Sequence, residues 1–157
     1  MIPQLLLGSC LIIATILISG FSFWIMESFL IRWRVWLSEE PHRIKIIFIL
    51  CLAALWVLAQ LTVGVWMWAM TFYSLDMFSD LETSVYFALV AITTLGLGDV
   101  ILPQEWRILA GLAAANGMLN IGLLTAVMVE ALRQVRVSQR AAVQEKEHKR
   151  HEAGVDP

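Results

Sequence analysis

The run Thr93-Thr94-Leu95-Gly96-Leu97-Gly98-Asp99 carries its chemistry in the backbone rather than in side chains. Glycine adopts φ values of either sign without a steric penalty. A glycine at every second position therefore lets a chain alternate its handedness, so that successive carbonyls point the same way. Oxygens aimed at a common axis can replace the water around a dehydrated cation. No competing chemistry is visible. There is no Ser/His/Asp set and no metal cluster, so an enzyme is not expected. An alternating-access transporter is not expected either, because no internal inverted repeat is present.

The elements that must position this run follow from composition. Of the 157 residues, 59% are hydrophobic and 15% charged, with a mean hydropathy of +0.75. Soluble domains carry roughly 25% charged residues. Asp, Glu, Lys and Arg are absent from 5–26, 46–75 and 108–129. Each stretch reaches the ~20 residues that span a hydrocarbon core. The N-terminus has neither a positive region nor a small-x-small cleavage site, so the first stretch reads as a retained helix. Cys10 and Cys51 fall in different spans at different depths, which makes a disulfide between them implausible.

Basic residues set the expected orientation. Arg32, Arg34, Arg43 and Lys45 lie between the first two spans, and Arg133, Arg136, Arg140, Lys146, Lys149 and Arg150 follow the third. The segment 71–106 has no Lys or Arg, yet holds Asp76, Asp80, Glu82, Asp99 and Glu105. The positive-inside rule then places the linker and tail in the cytoplasm and the N-terminus outside. The interleaved Arg32-Trp33-Arg34-Val35-Trp36 suits the headgroup layer; nucleic acid is not an expected partner.

Residues 83–94 are apolar but too short to cross. Ser79-Asp80-Leu81-Glu82 before them suits a helix N-terminus. A short helix that enters and returns as extended chain fits the length. Such a loop is tolerated in a membrane only where protein shields it or it lines a wet cavity. One copy cannot shield itself, so self-assembly is expected. The tail reads as a polar helix that either forms a bundle or frays.

The run 94–99 resembles the selectivity filter of the potassium channels, Thr-Val-Gly-Tyr-Gly followed by Asp, with Leu95 for Val and Leu97 for Tyr. The second substitution is similar to a Thr-Ile-Gly-Leu-Gly-Asp variant of some two-pore-domain potassium channels. From about Ile46 to Arg133 the order outer helix, pore helix, filter, inner helix resembles the pore module of that superfamily. The resemblance implies an all-α membrane protein with three transmembrane helices per chain, a re-entrant pore helix and an extended filter, assembled as a homotetramer. The expected segments are an N-terminal helix (1–31), a cytoplasmic basic linker (32–45), a pore module (46–132) and a charged tail (133–157). Within the pore module these are the outer helix (46–73), pore helix (83–94), filter (94–98) and inner helix (107–132).

The resemblance also implies site residues. Thr94, Leu95, Gly96, Leu97 and Gly98 would form the filter, with K⁺ held by oxygens of Thr94, Leu95, Gly96 and Leu97. Asp99 would stand at the mouth. Met118, Ile121 and Thr125 would line the cavity. Gly117 and Gly122 occupy the hinge positions, although Gly117 equally suits close helix packing. Glu130 either joins an anionic ring at the inner entrance or pairs with a nearby arginine. Asn116 and Asn120 share a face, directed to a neighbouring helix or to the pore. With Leu97 for Tyr and Val90 for an acidic residue, the filter is expected to be braced by apolar packing rather than hydrogen bonds. The aromatic pair of the pore helix is present in form as Tyr86-Phe87.

The implied function is passive K⁺ conduction. Alternatives are a weakly selective cation channel and a non-conducting regulatory subunit. No cofactor is expected beyond K⁺ in the filter, and no small-molecule substrate is evident. The lipid bilayer and further copies of the chain are the expected partners, and a plasma membrane, the inner membrane of a bacterium, is the expected location.

Overall fold

The charge-free stretches become three long helices. The computed structural model describes residues 1–32 and 42–152. It contains α1 (Ile2–Arg32), α2 (His42–Ser74), the short α3 (Leu81–Ile92), a 3₁₀ turn (Gln104–Trp106) and α4 (Arg107–Glu152). The portions long and apolar enough to cross a membrane are Ile2–Ser28, Ile47–Ser74 and Gln104–Glu130. The chain is an all-α, multi-pass membrane protein, and the described residues contain no strand. The expected basic linker falls largely on residues 33–41, and the end of the tail on 153–157, both outside the described residues. The polar tail continues the helix of the third span, in keeping with its reading from sequence as a helix that prolongs that span. It runs on without a break to Glu152, and at ~1.5 Å per residue the whole helix is roughly 70 Å long.

Two sharp helix ends shape the module. After α2, the Asp76 N–H bonds the Tyr73 carbonyl at 3.0 Å and the Met77 N–H bonds the Phe72 carbonyl at 3.1 Å. Asp76 itself has φ 51°. This is the Schellman arrangement, which satisfies carbonyls that a helix end leaves unpaired. The chain turns at once into α3. There the Asp80 carboxylate accepts the Thr83 N–H at 2.7 Å, so α3 begins at Leu81 rather than 83. That bond holds Asp80 below its ordinary carboxylate pKa.

Trp68, Phe72, Phe87, Leu109 and Ala113 form the core where α2, α3 and α4 meet. The Phe72 and Phe87 rings pack edge to face at 5.2 Å and 79°, and Phe78 lies 5.2 Å from Phe87. Edge-to-face pairs contribute roughly 0.5–1.5 kcal/mol beyond their burial. Phe87 thereby anchors the middle of the short helix that leads into residues 93–99.

The N-terminal helix packs along α4. Its Gly8 leaves room for Leu112 and Leu109; a Cβ there would lie 2.4 Å from Leu112 Cδ1. The Thr15 hydroxyl donates to Asn116 Oδ1 at 2.7 Å, and the Ser19 hydroxyl to Asn120 Oδ1 at 3.0 Å. The paired residue numbers rise together, so α1 and α4 run parallel. Met26 and Val127 close the seam at its far end. Interhelical hydrogen bonds in membrane proteins contribute about 0.6 kcal/mol on average. Cys10 and Cys51 are free and exposed on helix surfaces rather than buried.

Candidate functional site: a carbonyl-lined backbone segment

Helix α3 ends where the glycine-alternating run begins. The Thr94 N–H bonds the Ala91 carbonyl at 2.9 Å and the Leu95 N–H bonds the Val90 carbonyl at 3.0 Å. This repeats the Schellman arrangement, with Thr94 as the left-handed residue at φ 59°. A β-branched residue in that region is an outlier, and such strain is concentrated at functional sites. The left-handed turn ends α3 at Ile92, two residues before the expected 94.

Beyond Thr94 the handedness alternates. Gly96 has φ 55° and Gly98 φ 77°, whereas Leu95 and Leu97 keep negative φ. Thr94, Gly96 and Gly98 thus place positive φ at every second position of the run. The alternation lets consecutive carbonyls turn to one side of the chain. Among the described residues, no backbone or side-chain donor bonds the carbonyls of Thr94, Leu95, Gly96, Leu97 or Gly98. These carbonyls are exposed in the single chain and carry no protein partner, so they are free to take a ligand. The segment is exposed in a single chain, Leu95 at 63% and Leu97 at 59%.

Asp99 closes the segment. Its Oδ2 accepts the Tyr86 hydroxyl at 2.6 Å. That bond is the main reason its carboxyl lies below the ordinary carboxylate pKa. The expectation of a filter braced by apolar packing alone is therefore corrected. Val90 cannot reach back to Asp99 with a polar group, but Tyr86, one helical turn earlier on α3, does. The two residues of the aromatic pair divide their work: Phe87 faces the core, and Tyr86 faces Asp99.

Helix α4 flanks the base of the segment. A Cβ on Gly117 would lie 1.9 Å from the Ile92 carbonyl oxygen. Gly117 thus permits backbone-to-backbone approach of α4 to the end of α3. Gly122 has no neighbour within 4 Å of a Cβ built on it. Asn116 and Asn120 turn to α1, which resolves their two readings in favour of a neighbouring helix. At 3.6 residues per turn, Met118, Ile121 and Thr125 lie roughly 140–200° around α4 from Asn116. All three are exposed, Met118 at 67%. The Thr125 hydroxyl donates to the Ile121 carbonyl at 2.7 Å. Glu130 falls roughly 40° from Asn116, on the α1 side of the helix. Its carboxylate lies 3.6 Å from the Arg133 guanidinium.

A protein-family model described as ion channel matches residues 44–134, more than half of the chain. The chain belongs to this ion channel family. No curated protein and no solved structure matches it. The channel module so defined takes in α2, α3, the carbonyl segment and the apolar part of α4, and leaves α1 outside. Sequence reasoning missed two groups of residues around it. Tyr86 reads in sequence only as an aromatic of the pore helix, with nothing to mark Asp99 as its partner. Thr15 and Ser19 carry their signal only in a spacing of four residues that matches that of Asn116 and Asn120.

Proposed function

We propose that four copies of this chain form a K⁺-selective channel, each contributing one filter segment, 94–98, to a fourfold cage of carbonyl oxygens. The row of five unpaired carbonyls with positive φ at Thr94, Gly96 and Gly98 carries the reading. Such oxygens substitute for the hydration shell of a permeating cation. Four chains are required because each supplies one segment. Copies packed around the axis would also cover Leu95 and Leu97. Thr94 would add its hydroxyl at the inner end, and Asp99 would stand at the mouth. Met118, Ile121 and Thr125 would face the cavity, on the side of α4 turned away from α1.

Orientation follows from charge. The arginines and lysines after residue 132 favour a cytoplasmic tail. Because α1 runs parallel to α4, the N-terminus then lies outside, on the side of the filter mouth. The reading is tested by reconstituting the purified chain in liposomes and measuring reversal potential under opposed K⁺ and Na⁺ gradients. A potential near that of K⁺ is expected. A potential near zero would indicate the weakly selective alternative, and absence of current a subunit that does not conduct alone.

A further inference from the structure

Helix α1 lies outside the matched channel module, yet it holds the helix that the channel reading places around the pore. The hold is in register. Gln4 bonds the Glu105 carbonyl, Thr15 bonds Asn116 and Ser19 bonds Asn120, each pair separated by 101 residues. Thr15 is 4% exposed, Ser19 8% and Asn116 1%. The polar groups are also joined along α4. The Asn120 amide donates to Asn116 Oδ1 at 2.9 Å, and the same oxygen faces the Thr15 hydroxyl, whose one proton is shared between it and the Ile12 carbonyl at 2.8 Å. Four side chains from two helices thus form one chain of hydrogen bonds, with Thr15, Ser19 and Asn116 buried and Asn120 half-buried.

The position of that chain matters. Asn116 immediately precedes Gly117, whose backbone touches the Ile92 carbonyl at the end of α3, two residues before the strained Thr94. A rigid path therefore runs from α1 through Asn116 and Gly117 to the base of the filter segment. Close-packed backbone contacts transmit displacement because no side chain is there to yield. A shift of α4 along or around α1 would move Gly117 against Ile92.

We infer that α1 is a strut that sets α4 against the filter base, and that Thr15 and Ser19 are positioning residues for ion selectivity. This rests on the channel reading above. It assigns to α1 a task in conduction rather than in membrane anchoring alone.

The test uses the full-length chain in liposomes. Thr15→Val keeps the volume and removes the hydroxyl; Ser19→Ala does the same at the second site. The double variant is expected to assemble and conduct, with its K⁺-over-Na⁺ permeability ratio lowered at least about threefold, the factor equivalent to one average interhelical hydrogen bond in a membrane protein. Thr15→Ser, which restores a hydroxyl, is expected to keep the wild-type ratio. Reversal potential is the chosen readout because it does not depend on how many channels survive. A merely structural role would lower channel number and leave the potential unchanged, and that result would overturn the inference. Should the double variant fail to assemble, Ser19→Ala alone carries the same test with the same outcomes. A wild-type chain with no K⁺-selective potential would overturn the channel reading, and the inference with it.

Discussion

The Tyr86 hydroxyl donates to Asp99 Oδ2 at 2.6 Å, across thirteen residues of chain, and so ties the short helix to the residue that follows the carbonyl segment. The bond favours the ionised carboxylate, because only that form leaves both oxygens free to accept. It spans the strained run from both ends. Thr94 is fixed by the cap of α3 at one side, and Asp99 by Tyr86 at the other.

Removing the hydroxyl is therefore expected to loosen the mouth. Tyr86→Phe should reduce steady-state K⁺ current severalfold without loss of tetramers, read by single-channel recording and gel filtration. The pH dependence carries a sign. Asp99 has a depressed pKa in the folded protein, so the brace is present above the ordinary value of 3.8 and is lost as pH falls through the lowered one. Wild-type current is expected to be flat from neutral pH down through the range above 3.8 at the mouth side, and to fall only below it. In Tyr86→Phe the brace is already absent, so its reduced current should lack the further fall that wild type shows below that range. Asp76, Asp80, Glu82 and Glu105 belong to the same segment, so the difference between the two proteins isolates Asp99. Coincident pH profiles would remove the brace from the mechanism.

Gly96 tests the filter assignment itself. Its φ of 55° is one that L side chains adopt only with strain, and no atom of the same chain obstructs a Cβ there. The cost of Gly96→Ala is therefore conformational, about 1–2 kcal/mol per chain. Repeated in four copies, it should lower K⁺ flux at least about tenfold, since ~1.4 kcal/mol already corresponds to that factor. Tetramers are expected to persist in mild detergent. Wild-type flux in this variant would take the segment out of the conduction path.

Much of the fold is legible because membrane solvation leaves a coarse signal. Three gaps in the charged residues announce the three spans, and Asp80 announces a helix start through its short acceptor side chain. The alternation of Gly96 and Gly98 announces a backbone of changing handedness. What was hidden is of a different kind. Thr94 is left-handed against its own preference, because the end of α3 and the following turn over-determine it; no propensity argument finds that. The Tyr86–Asp99 bond depends on how far the returning chain climbs back past α3. The choice of α4 as the partner of α1 depends on a few buried polar groups, since one apolar helix face is as good as another to a lipid tail. Thr15 and Ser19 carried that signal only in combination with Asn116 and Asn120.

Gly117 and Gly122 separate packing from bending. In a helix interior, Gly→Ala stabilises by up to about 1 kcal/mol when space permits. A hinge glycine should therefore become more stable as Ala. Gly117→Ala instead forces a Cβ to 1.9 Å from the Ile92 oxygen, where under 3.0 Å something must shift. Overpacking of this kind costs about 1–3 kcal/mol. The expected result is a lower melting temperature in detergent for Gly117→Ala, with a shifted reversal potential, and no loss of stability for Gly122→Ala. A more stable Gly117→Ala would mean that the close approach to Ile92 is not what fixes the glycine.

Glu130 lies at the end of the apolar part of α4, and two roles compete for it. A ring of four carboxylates at a cytoplasmic entrance would concentrate cations, and salt would screen the effect over ~8 Å at physiological strength. That role requires Glu130 to share a face with the cavity candidates. The helix register puts it roughly 180° from Ile121, on the side of α4 turned to α1. Its carboxylate stands 3.6 Å from the Arg133 guanidinium, and both side chains are well exposed. An exposed i,i+3 pair contributes only tenths of a kcal/mol, so its loss should be mild. Glu130→Gln is accordingly expected to leave single-channel K⁺ conductance unchanged at low and at high ionic strength, with at most a small change in open probability or tetramer stability. A fall in outward current confined to low salt would reverse the assignment, because only a carboxylate facing the permeation path loses its influence in that pattern.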